Sequence, residues 1–93
     1  MVLVGDDSED GFNKQTHQVF KNLKNVAEAA GGSLENVVKL NIFLTDLKFF
    51  PNVNEIMQKY FDEPYPARAA VGVNSLPKDS AIEAEAILII DTK

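Results

Sequence analysis

The residues of this chain best suited to chemistry lie near its C-terminal end. An arginine sits among small residues in Pro66-Ala67-Arg68-Ala69-Ala70-Val71, and two carboxylates sit in the apolar segment Ile82-Glu83-Ala84-Glu85-Ala86. Both segments read as strands, and the turn from Asn74 to Ser80 predicts that they form an antiparallel hairpin. A charge on a strand that otherwise reads as core is costly unless it is paired or used. Two readings follow. In one, the planar guanidinium of Arg68 grips an anion, a carboxylate above all, while Glu83 activates a water or moves a proton. In the other, Glu83 forms a structural ion pair with Arg68 or Lys39. Glu85 lies two residues further along the same face, and residue types alone do not separate it from Glu83. Ala69, Ala70 and Gly72 leave space for a ligand beside the arginine, where large side chains would fill it.

Other polar residues support fewer kinds of chemistry. Asn54 interrupts an otherwise apolar helical stripe, as an interface clamp or as the lining of a polar pocket, since a buried amide needs partners. His17 falls outside the main stripe of its helix and is expected at the solvated surface. With one histidine and no cysteine, a zinc site, a thiolate nucleophile and an iron–sulfur cluster have no ligands. There is no Gly-x-Ser-x-Gly elbow, no dinucleotide fingerprint and no phosphate-binding loop.

These groups must be positioned by a small scaffold. The 93 residues fit a single domain spanning 1–93, with 45% hydrophobic and 25% charged residues, ordinary for a globular protein. The net charge of −5 and the sparse Lys14, Lys21, Lys24 set argue against a nucleic-acid partner. The acidic start at Met1–Asp7 does not resemble a leader peptide, and Glu83 and Glu85 break the longest apolar run, so neither membrane nor export is expected and the location is read as cytoplasmic.

The elements follow from periodicity. Val2 to Val4 read as a short strand, and Asp7 or Asp10 as the cap of the next helix. Phe12, Thr16, Val19, Phe20, Leu23, Val26, Ala27 and Ala30 recur at helical spacing and predict one buried face, stopped by Gly31-Gly32. Ser33 to Asn36 make a turn. Val37 to Thr45 read as a strand with Val38, Leu40, Ile42 and Leu44 on one face, and Val37, Lys39, Asn41, Phe43 and Thr45 on the other. Asp46 opens a turn. Pro51 suits the first turn of a second helix, whose inward stripe is Phe50, Val53, Asn54, Met57, Tyr60 and Phe61. Glu63 to Pro66 predict an extended connector. The order strand, helix, strand, helix, strand, strand predicts an α/β (α+β) two-layer sandwich. Val37, Phe43, Ile87 and Ile89 make the far sheet face apolar, so a partner subunit is expected to cover it.

Taken together, Asn22-Leu23-Lys24, Ala29-Ala30-Gly31, Val37-Val38-Lys39, Phe43-Leu44-Thr45-Asp46, Val53-Asn54-Glu55, Tyr65-Pro66-Ala67-Arg68, Leu76-Pro77-Lys78-Asp79 and Ile82-Glu83-Ala84-Glu85-Ala86 resemble the RidA (YjgF) family of reactive enamine/imine deaminases, from about Val4 to Ile90. The resemblance implies a chorismate-mutase-like fold, a homotrimer with ligand clefts between subunits, and no cofactor. It implies hydrolysis of 2-aminoacrylate and its imine to pyruvate and ammonia. Arg68 then matches the carboxylate-binding arginine, Glu83 the glutamate that positions or activates water, and Asn54 an asparagine near the cleft. It favours Glu83 over Glu85. At Ala70, beside the ligand, the family often carries cysteine, so that thiol is dispensable if the chain is active. Family members also carry two strands ahead of the point matching Val2, with Gly-Pro-Tyr-Ser and Ser-Gly-Gln segments that help line the cleft. Their loss is expected to impair catalysis and to alter assembly. A carboxylate-binding or protein-interaction module without turnover is the second reading, and an endoribonuclease or translation inhibitor the third.

Overall fold

A computed structural model describes residues 8–63 and 65–90. Helix α1 spans Glu9–Ala29, strand β1 Val37–Leu44, helix α2 Phe50–Met57, strand β2 Ala67–Gly72 and strand β3 Ile82–Leu88. The expected strand at Val2 to Val4 lies outside the described residues, as do Asp7 and Pro64. The sheet is three-stranded in the order β2-β1-β3, with β1 parallel to β2 and antiparallel to β3. Both helices pack on one side of it, giving the mixed α+β, two-layer arrangement that the element order predicts.

The hairpin is the main correction. The two C-terminal strands do not pair with each other; β1 lies between them. Helix α2 carries the chain from β1 to the parallel strand β2, a crossover that a parallel pair requires. The segment after β2 then passes β1 before β3 pairs on its other side. A turn signal between two strand-like runs marks a reversal, but it does not specify which neighbours the strands take.

Helix α1 is capped by Ser8, whose Oγ accepts the Gly11 amide at 3.0 Å. Asp10 lies inside the first turn, where its charge suits the positive helix end. At the other end, the Gly32 amide reaches the Ala27 carbonyl (2.9 Å) and the Gly31 amide the Glu28 carbonyl (3.1 Å). This double closure uses Gly31 at φ 91°. The buried face consists of Gly11, Phe12, Gln15, Thr16, Phe20 and Ala27, while Val26 and Ala30 are exposed. Gln15, absent from the expected stripe, accepts the Ala81 amide at 3.0 Å and ties α1 to the entrance of β3.

Strand β1 is the centre of the core. Leu40, Ile42 and Leu44 are fully buried and meet Phe12, Phe20, Val53, Ile56, Met57, Phe61 and Ile82. Ile56 belongs to the inward face of α2 although the expected stripe omitted it. At the start of β1 the expected alternation fails. Val37 is buried and Val38 is exposed, because the register slips between Val37 and Lys39. The bulge places Val38 and Lys39 successively outward and returns Leu40 to the core.

Candidate active site

Arg68 lies opposite Leu40 in the β1–β2 register, so its side chain leaves the sheet on the helix side. There α2 presents Phe50, Asn54 and Met57, spaced i, i+4 and i+7 on one helix face. The guanidinium carbon stands 4.9 Å from the centre of the Phe50 ring. Nη1 donates to Oδ1 of Asn54 and lies 3.6 Å from the sulfur of Met57. Among the described residues all the hydrogen bonds of this guanidinium run through Nη1. Its Nε and Nη2 edge keeps the paired donors that match a carboxylate.

Beside it opens a cavity of about 510 Å³ lined by Asn54, Met57, Gln58, Tyr65, Pro66 and Arg68. The volume is that of a small-molecule site. Arg68 itself is exposed, and Ala70, two residues further along the same side of β2, is small enough to leave that side open. The sequence marks Arg68 and Asn54 as two separate candidates and places Phe50, Asn54 and Met57 together on the inward stripe of the second helix, but that stripe reads as core packing and not as the seat of Arg68. The i, i+4, i+7 spacing was the available signal. Phe50, Met57, Gln58 and Tyr65 were missed as site residues because each has an ordinary structural role in isolation.

Glu83 is not part of this arrangement within one chain. It lies opposite Phe43 on the other side of β1, and its neighbour Ile82 is buried at 3% exposure. Alternation therefore sends Glu83 to the sheet face away from the helices. Glu85, opposite Asn41, shares that open face. Among the described residues neither carboxylate forms an ion pair, which removes the structural pairing of Glu83 with Arg68 or Lys39 within the chain. The open face also carries Val71 and Ile87, about half exposed. Val37, expected there, is in the core instead.

His17 is half-buried rather than freely solvated. Its Nδ1 is 2.9 Å from the Tyr60 hydroxyl, and their rings are tilted with centres 5.7 Å apart. Burial, then the nearby Lys59 and Lys21 ammonium groups, lower its pKa from the usual 6.5. Neither His17 nor Tyr60 lines the Arg68 cavity; the pair ties α1 to the turn that follows α2. Among the described residues no cluster of three or more histidine, aspartate or glutamate side chains could hold a metal ion.

Comparison with known proteins agrees with this fold. The family model described as Endoribonuclease L-PSP matches residues 4–90. The human protein named 2-iminobutanoate/2-iminopropanoate deaminase is 44% identical over 79 residues, covering 85% of this chain and 58% of the human protein. The protein of the same name from Dermatophagoides farinae is 43% identical over 77 residues, covering 83% and 60% respectively. Among solved structures, RidA from an Antarctic Psychrobacter superposes with a TM-score of 0.83 at 54% identity, covering 84% of this chain and 63% of that one. Escherichia coli TdcF with bound serine superposes at 0.80 and 38% identity, covering 85% and 65%. The chain thus spans about three fifths of the length of such relatives.

Proposed function

The chain belongs to the Endoribonuclease L-PSP family, and from that premise we propose that it hydrolyses reactive 2-imino acids, with 2-aminoacrylate and its imine tautomer as the type substrate. The observation that carries the proposal is Arg68, held by α2 beside a cavity with a two-donor edge unused among the described residues. Similarity to proteins named 2-iminobutanoate/2-iminopropanoate deaminase supports the reaction.

The chemistry is an addition followed by an elimination. Arg68 grips the substrate carboxylate and orients the C=N bond. Water adds its oxygen to C2 as one of its protons passes to the imine nitrogen, the C–N bond of the resulting carbinolamine breaks, and the nitrogen takes the hydroxyl proton and leaves as ammonia. A 2-keto acid remains. Glu83 takes a proton from water and returns one to nitrogen. No cofactor enters this scheme, because the imine carbon is already electrophilic.

Arg68 and Glu83 face opposite sides of the sheet in a single chain. The proposal therefore includes a homotrimer, in which the Glu83 face of one copy completes the cleft of the next. Among the described residues no helix is long and apolar enough to cross a membrane. We place the protein in the cytoplasm, although a yeast relative carries the name "Protein MMF1, mitochondrial". The net charge of −5 keeps RNA outside the reading, despite the family's name.

The separation of Arg68 from Glu83 favours one competitor, a module that binds small carboxylates without turnover. The deciding assay generates 2-aminoacrylate in situ with a dehydratase and follows pyruvate release. Acceleration is expected with the wild type and is expected to vanish with Arg68→Ala. Glu83→Gln is expected to lower turnover by about 10²–10⁴-fold, with Glu85→Gln close to wild type. No acceleration, together with saturable binding of pyruvate, would establish the module instead.

A further inference from the structure

We propose that Phe50 is a positioning residue for Arg68, its ring setting the plane in which the Nε and Nη2 edge meets the ligand carboxylate; this rests on the reading of Arg68 as the carboxylate-binding group. A guanidinium at the end of a flexible side chain is a poor two-point receptor unless its plane is fixed, because each free rotation must be stopped on binding. Three contacts from α2 limit that freedom. The Phe50 ring lies under the guanidinium carbon at 4.9 Å, a distance at which the ring face attracts a cation. Asn54 engages Nη1, and the Met57 sulfur sits 3.6 Å from the same nitrogen. With the face covered by Phe50 and one nitrogen held by Asn54, the edge formed by Nε and Nη2 is left for the ligand.

The contributions are distinct. Asn54 acts as a hydrogen-bond acceptor on one nitrogen and fixes a point. Phe50 acts on the whole plane and fixes a tilt. An aliphatic residue at position 50 would fill the space but would offer no attraction for a cation. Phe50 lies on the half-buried side of α2 near its first turn, so its ring serves packing on one side and Arg68 on the other.

The test is titration of the intact chain with pyruvate, followed through the ¹⁵N–¹H signal of Arg68 Nε and through the dissociation constant. Variants are Phe50→Leu, Phe50→Tyr, a pentafluorinated phenylalanine at position 50 that keeps the ring shape and reverses its charge distribution, and Arg68→Ala. Phe50→Leu and the fluorinated ring are expected to weaken binding by about three- to tenfold and to blunt the Nε shift, while Phe50→Tyr stays close to wild type. Arg68→Ala is expected to abolish binding. Thermal midpoints are measured on each protein, and the fluorinated ring carries the comparison if Phe50→Leu does not fold. Wild-type affinity and an unchanged Nε signal in the fluorinated or leucine variant would overturn the inference while leaving Arg68 as the receptor. Absent binding, or binding indifferent to Arg68→Ala, would overturn the underlying reading of Arg68 and the inference with it.

Discussion

Arg68 and His17 illustrate how one side chain's environment decides what it can do. For Arg68 the setting determines geometry: which nitrogen is occupied, which edge is free, which face is covered. His17 is the opposite case, because its protonation is what the surroundings change. Burial and two lysines disfavour its cationic form in the fold. The unfolded chain therefore takes up a proton more readily near the usual value of 6.5, and protonation favours unfolding. Stability attributable to His17 is fully present above that value and is lost as pH falls below it toward the lowered folded value. In urea titrations compared between about pH 7 and pH 5, the wild-type midpoint is expected to fall further than that of His17→Gln. Parallel pH dependence in the two proteins would contradict the assignment.

At the scale of elements, α2 does most to build the site. One of its faces seals the core through Val53, Ile56 and Met57, and the adjoining one presents Phe50 and Asn54 to β2. The crossover from β1 through α2 to β2 makes this possible, since it lays the helix over the strand that follows it. Helix α1 contributes rigidity instead, and its C-terminal closure is a sharp test of how that rigidity is encoded. A Cβ added at Gly31 would meet nothing within 4 Å, yet the residue holds φ at 91°. Gly31→Ala is therefore expected to cost about 1–2 kcal/mol by backbone strain alone, read from urea denaturation, with no effect on pyruvate binding. At Gly32 the limit is steric: a Cβ would come within 2.7 Å of Asn36 Oδ1 and 3.0 Å of Ile90.

For the whole molecule, the sheet is the unfinished surface. One side is covered by both helices. The other carries Val71, Ile87, Glu83 and Glu85 with no layer over them among the described residues. Large apolar side chains on an open sheet face favour burial against another surface. On the proposed reading that surface is a second and third copy, and the same association supplies Glu83 to the Arg68 cavity. Light scattering after size exclusion is expected to give the mass of a trimer. Ile87→Lys is expected to reduce that mass and to suppress pyruvate release while leaving the helical circular dichroism intact. A monomer with undiminished turnover would refute the shared cleft.

The chain's own residues determined the helices, the core strand and the candidate chemistry, because each depends on local spacing. Phe12, Thr16 and Phe20 mark the buried face of α1, Leu40, Ile42 and Leu44 mark the inner face of β1, and Arg68 and Asn54 stand out as polar groups in apolar settings. Tertiary structure alone decided which elements became neighbours. Nothing in the run from Arg68 to Glu83 states that β1 lies between them, because strand pairing is settled by where α2 delivers the chain and by which faces must be buried. The bulge at Val38 and the ring of Phe50 beneath Arg68 follow the same rule. Both arise from residues distant in sequence meeting in space, and periodicity carries no information about such meetings.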